Sequence, residues 1–171
     1  MATNRLGWVL LLVAACAGCN NRNIASTESL TSARAAAVEQ GVRTFMATVA
    51  HEVTQEGPLA WSEHFESGPS FFMAVNGQMA FPSGAAANEG IQNVALTLKH
   101  IDLKWGDDLR VDPLTPELAV VATPWHEIKT YAAGQTTEDG GFFTGVVEYR
   151  DRRWQFRDAH WSSPVAPPPA H

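Results

Sequence analysis

Two rhythms of apolar residues run along this chain, and each predicts a different kind of element. Val38, Val42, Phe45, Val49 and Val53 recur at intervals of three and four, which places them on one stripe of a long first helix. Gly57-Pro58 ends it. A short helical turn over 59–65 then presents Trp61 and Phe65. Phe71-Phe72-Met73-Ala74-Val75 reads as a first strand closed by an Asn76-Gly77 turn, with 79–81 pairing back. Ile91, Val94, Ala95 and Leu98 have the spacing of a second amphipathic helix, starting near Ser83 or Asn88 and capping a sheet. From His100 the period changes to two, as Ile101, Leu103 and Trp105 alternate with polar residues. Asp112-Pro113 and Thr115-Pro116 read as a turn, and strands over 118–130, 142–150 and 153–162 follow. They are separated by 134–141, with Gly140-Gly141 as a turn, and by a tight Asp151-Arg152 turn. Helices first and long antiparallel strands afterwards define an α+β chain with the helices on one face of a curved sheet.

Strand faces follow from alternation. On 118–130, Ala119, Val121, Thr123, Trp125 and Glu127 form one face, and Val120, Ala122, His126 and Ile128 the other. Both are partly apolar, so both are covered: one by the helices, the other by a second subunit. On the last strand Trp154 and Phe156 share a face whose continuation is Asp158, His160 and Ser162.

The chain has 171 residues, 45% of them hydrophobic and 18% charged, enough for one sizeable core. Twelve Lys and Arg against eighteen Asp and Glu leave a net charge of -6 with the basic residues scattered, which argues against nucleic acid as a partner. Both cysteines, Cys16 and Cys19, fall in the first twenty residues, leaving the body without thiol chemistry. His126-Glu127 and His51-Glu52 are adjacent pairs that point to different faces, and no His-Glu-x-x-His run exists, so no metal site and no cofactor are expected.

The N-terminus carries one positive charge, an apolar run through Trp8-Val9-Leu10-Leu11-Leu12-Val13, and then small residues. That run is shorter than the roughly 20 residues a spanning helix needs. Cys16-Ala17-Gly18-Cys19 resembles the lipobox of bacterial lipoprotein signal peptides, with Val13-Ala14-Ala15-Cys16 as a competing match. The resemblance implies a signal peptide over 1–18, lipidation of Cys19 (alternatively Cys16), and a domain tethered to a membrane of the cell envelope, facing the periplasm or the exterior. Residues 19–32 read as a flexible spacer, 33–163 as the domain, and 164–171 as a Pro-rich tail.

The order helix, small helix, hairpin, helix and long strands resembles the nuclear transport factor 2-like superfamily, in particular its SnoaL-like branch. The residues that carry this are 81–98, Thr115-Pro116-Glu117-Leu118-Ala119-Val120-Val121, and Trp154-Gln155-Phe156-Arg157-Asp158-Ala159-His160-Trp161-Ser162. The resemblance implies a cone-shaped, cystatin-like α+β fold, a homodimer through the outer sheet surface, and a pocket for a small apolar or amphipathic ligand.

Within that cone the expected lining is Trp61, Phe65, Trp125, Glu127, Phe143, Tyr149, Trp154 and Phe156, with Glu148 left facing water. If Trp154 and Phe156 face the core, Asp158 and His160 lie in the cavity, a candidate proton-transfer pair for an isomerase, cyclase or dehydratase. A ligand-binding domain without turnover is the favoured reading, and a non-enzymatic envelope assembly module a third. Steroid isomerisation is excluded: the hairpin over 73–77 and the strand over 142–146 lack the carboxylates that the ketosteroid isomerase branch uses.

Overall fold

A computed structural model describes residues 30–164. The signal segment, Cys16 and Cys19, all of the spacer but its last residues, and the tail from 165 lie outside the described residues. Helix α1 spans Ser32–Glu56 and starts where the Thr31 hydroxyl accepts from the Arg34 N–H at 3.3 Å. Its buried stripe is Val38, Val42, Phe45, Met46, Val49 and Val53, the predicted set plus one methionine. Gly57 closes it at φ 84°, a conformation that suits glycine, with its N–H on the Val53 carbonyl. A single 3-10 turn at Pro58–Ala60 runs into α2, Trp61–His64. Strands β1 (Phe72–Val75) and β2 (Gln78–Phe81) form a two-residue hairpin in which Asn76 and Gly77 both take the left-handed conformation.

Helix α3 spans Gly84–Ala95, capped by Ser83, whose hydroxyl accepts from the Ala86 N–H at 3.2 Å. Its buried face is shorter than the apolar spacing predicts. Ala87 and Ile91 are buried, but Val94 is 45% exposed and Leu98 opens the next strand. Helical periodicity continued through apolar residues that the chain uses in two elements.

Strands β3 (Leu98–Trp105), β4 (Arg110–Thr115), β5 (Leu118–Tyr131), β6 (Thr136–Arg150) and β7 (Arg153–Ser162) complete a seven-stranded sheet in the order β2-β1-β7-β6-β5-β3. Only the β1–β7 pairing is parallel. Strand β5 is long enough to take two partners in succession along one edge, β4 over its first half and β3 over its second. Asp112-Pro113 is therefore not a turn: both residues lie in β4, where Pro113 faces Ala119 on a strand with a single partner. Only Pro116 and Glu117 turn.

Strand β6 begins at Thr136, so Gly140-Gly141 is strand as well. The neighbouring chain requires a glycine there, because a Cβ on Gly141 would stand 1.8 Å from the Ser162 carbonyl oxygen. Strand β7 carries a β-bulge. Val146 pairs with Asp158 but Val147 pairs with Phe156, which leaves Arg157 as the extra residue. Phe156, Ala159 and Trp161 consequently face the helices, and Asp158 and His160 face outward, opposite Val146 and Thr144. Strict alternation from Trp154 put them on the other side.

The core lies between α1 and the concave face. Phe71, Phe143 and Phe156 are fully buried, each contributing about 2–3 kcal/mol by area. The Trp105 indole N–H donates to the Met46 carbonyl at 2.8 Å and ties β3 to α1. The outer face, on which the sequence predicts pairing with a second copy, carries half-buried Val120, Ala122 and Val146 and exposed Phe142. Among the described residues no helix is long and apolar enough to cross a membrane.

Candidate functional site

The core fills only part of the cone. Inward-facing residues of β5 begin with Ala119, Val121 and Thr123, all fully buried. They continue through Trp125 to Glu127, Lys129 and Tyr131, beyond the reach of the core side chains. At this end the sheet and the helical layer separate, leaving an open cavity of about 460 Å³, within the range of small-molecule sites. The helical side contributes Pro58, Trp61, Ile91 and Val94, and Phe65 follows α2. The sheet contributes Met73, Ile101, Trp125 and Trp161 and, further along, a polar patch.

That patch follows from strand register. Glu127 on β5 lies directly opposite Asp139 on β6, and Lys129 is the next inward residue after Glu127. Lys129 Nζ stands 2.5 Å from Glu127 Oε1 and 3.7 Å from Asp139 Oδ2. Asp139 Oδ1 accepts from the Gly140 N–H at 2.9 Å and from the Ser163 hydroxyl at 3.4 Å, and the Ser163 N–H donates to Asn76 Oδ1 at 2.7 Å. Burial pushes the Glu127 carboxyl above its ordinary range, and the Lys129 ammonium beside it only partly opposes this. Burial also acts against charge on Lys129, but its bond to Glu127 and the two carboxylates outweigh that, so its pKa is raised and it stays cationic. Two carboxylates and one ammonium give the patch a net charge of -1 with both carboxylates ionised. Trp125 adds a buried indole N–H without a hydrogen-bond partner, a group whose burial costs about 1–3 kcal/mol.

Of the residues the sequence nominated, Trp61, Phe65, Trp125 and Glu127 line this cavity. Phe143 and Phe156 lie beneath it as fully buried core, with Phe143 against Trp161 at a centroid distance of 4.6 Å. Trp154 and Tyr149 stand at the other end of the cone. Tyr149 is exposed and packs on Trp154, which borders a smaller cavity of about 320 Å³ with Gly41, Phe45, Glu52, His64 and Arg153. There His64 is buried, with Nε2 3.1 Å from Glu52 Oε2; loss of water lowers its pKa, and Glu52 opposes the shift. Glu148 is largely shielded and accepts from Gln155 Nε2 at 3.3 Å instead of facing water.

Asp158 and His160 do not line either cavity. His160 is exposed on the outer face. Asp158 is half-buried there and accepts from the Val146 N–H at 3.2 Å, across the bulge. Burial raises its pKa against the pull of that N–H. The extra residue Arg157 is the physical reason for the correction.

Lys129, Asp139 and Trp161 are among the contributors that sequence reasoning passed over. Lys129 was within reach of the alternation that found Trp125 and Glu127. Asp139 needed the register of a strand six residues longer than its apolar part, and Trp161 needed the bulge. Among the described residues, no group of three His, Cys, Asp or Glu side chains stands close enough to hold a metal ion.

This architecture of helices on a curved, mostly antiparallel sheet is that of the nuclear transport factor 2-like fold, and solved structures agree. A nuclear transport factor 2-like superfamily protein from Salmonella enterica superimposes with a TM-score of 0.65 at 16% identity, covering 77% of this chain and 94% of that one. A provisional scytalone dehydratase from Novosphingobium aromaticivorans gives 0.67 at 11% identity, covering 79% and 89%. A hexachlorocyclohexane dehydrochlorinase gives 0.60 at 11% identity, covering 76% and 87%. Neither a family model nor a curated protein matches the sequence. The chain therefore has this fold, and its chemistry has to be argued from its own residues.

Proposed function

We propose that this protein is an envelope-tethered binding domain that holds a small apolar or amphipathic molecule in its cone. The observation that carries this is the open cavity of about 460 Å³, apolar on its helical wall and polar on one part of its sheet wall. An assembly module with a vestigial cavity needs no such space, and filling it with side chains would add packing energy. The lipobox-like run at Cys19 supports the tethered setting. Mass spectrometry of small molecules released from the protein purified out of its own membranes tests the reading. A stoichiometric apolar or amphipathic compound is expected; repeated recovery without any bound compound overturns it.

A second reading, proton transfer of the dehydratase or isomerase kind, is favoured by one observation. Glu127 is a shielded carboxylate in the cavity wall whose proton affinity is raised by burial. In that reading Glu127 takes the proton and Lys129 holds the carboxylate in place, since Asp158 and His160 face away. Conversion of the released compound on re-addition, lost in Glu127→Gln, separates turnover from binding.

A further inference from the structure

The polar patch says more about the molecule than the apolar walls do. Lys129 is the only cation among the residues around the cavity, and it is already committed: Glu127 and Asp139 both approach its ammonium. An incoming carboxylate or phosphate that approached its ammonium would stand beside both acidic groups and be repelled by them. A donor meets the opposite situation. Glu127 holds Lys129 through Oε1, and its Oε2 makes no hydrogen bond among the described residues, although it is not sealed off like the buried unpartnered atoms of Glu66 and Trp125. Asp139 Oδ2 has only the longer contact to Lys129. The wall therefore offers spare acceptors and a surplus negative charge, in a cavity that Trp61, Trp125 and Trp161 also line.

We infer that the cavity selects amphiphiles whose polar end is a hydrogen-bond donor, an alcohol, a phenol or above all an amine, and discriminates against carboxylates and phosphates. This rests on the binding reading above and names the ligand class of that same site. A cationic head gains from the net charge, and a neutral hydroxyl from the spare carboxylate oxygen. Fatty-acid-like anions gain from neither.

The test is calorimetric titration of the full chain, carrying Cys16→Ser and Cys19→Ser, with three probes of one apolar body: naphthylmethylamine, naphthylmethanol and naphthoate. The expected order is amine, then alcohol, with naphthoate at least about tenfold weaker than the amine, equal to about 1.4 kcal/mol. Glu127→Gln with Asp139→Asn changes the patch charge from -1 to +1, and the naphthoate should then bind more tightly than the amine. If naphthoate binds the unaltered chain as well as the amine does, the donor-selective inference is overturned while the binding reading stands. If none of the three probes binds, the binding reading fails and takes this inference with it. Where the double variant does not fold, the ranking on the unaltered chain decides alone.

Discussion

A carboxylate on the inner face of a sheet survives only with a partner, and Glu127 has one in Lys129 at 2.5 Å. The pairing does not fully repay burial, since the Glu127 pKa stays above its ordinary value of 4.5. The folded chain then holds the proton more tightly than the unfolded chain. Stability is therefore highest with Glu127 protonated and falls as pH rises from the ordinary carboxylate range through the raised value. Glu127→Gln removes that loss. Melting curves should coincide below about pH 4 and separate toward neutrality, with the variant melting higher; a variant that melts lower at neutral pH would show that the ion pair outweighs burial. Asp158 and His160 lead to the opposite kind of expectation. His160→Ala should leave ligand affinity unchanged, because the ring is on the outer face, and Asp158→Ala should cost about 1 kcal/mol through the lost bond to the Val146 N–H, again without changing affinity. A large loss of affinity in either would place the site on the wrong side of the sheet. At this scale Trp61, Phe65 and Trp125 were legible as cavity residues once the family resemblance supplied the cone. Lys129 was legible too, by carrying the same alternation one step further.

At the scale of elements, periodicity and turn residues in the sequence located α1, α2, the hairpin and the last three strands, with breaks at Gly57-Pro58, Asn76-Gly77 and Asp151-Arg152. Besides carrying the apolar face of α3 too far, they misjudged three features for identifiable reasons. Strand β4 contains a proline that an edge position tolerates, and β6 starts in polar residues that project beyond the core. The third is the bulge at Arg157, which shows in the hydrophobic pattern only as a change of phase from Trp154 and Phe156 to Ala159 and Trp161, and which inverts every residue after it. An in-frame deletion of Arg157 tests that element directly. It removes the extra residue and leaves Phe156, Ala159 and Trp161 facing inward and Asp158 and His160 outward, so cooperative folding in urea is expected to persist. Loss of cooperative folding would show that Arg157 is not an extra residue of the strand. Ser83→Ala should cost about 1 kcal/mol by removing the cap of α3.

The whole molecule is a cone closed by stacked aromatic residues at its centre and open at one end. Phe143 contacts Phe156 and Trp161 there, and Trp161 contacts Trp105 and Trp125. What closes the cone also forms the cavity floor, so stability and binding share residues such as Trp161. The proposed tether belongs to this scale as well. Cys19→Ser should move the protein from the membrane to the soluble fraction, whereas unchanged fractionation transfers the anchor to Cys16 or removes it. The central claim is that the cone's open end receives a ligand, and one residue blocks that space without disturbing the core. Val94 lines the cavity from α3 and is 45% exposed, so Val94→Trp fills the entrance from outside. Calorimetry with naphthylmethanol should register binding to the parent chain and none to an equally stable Val94→Trp variant; equal binding to both would contradict the account.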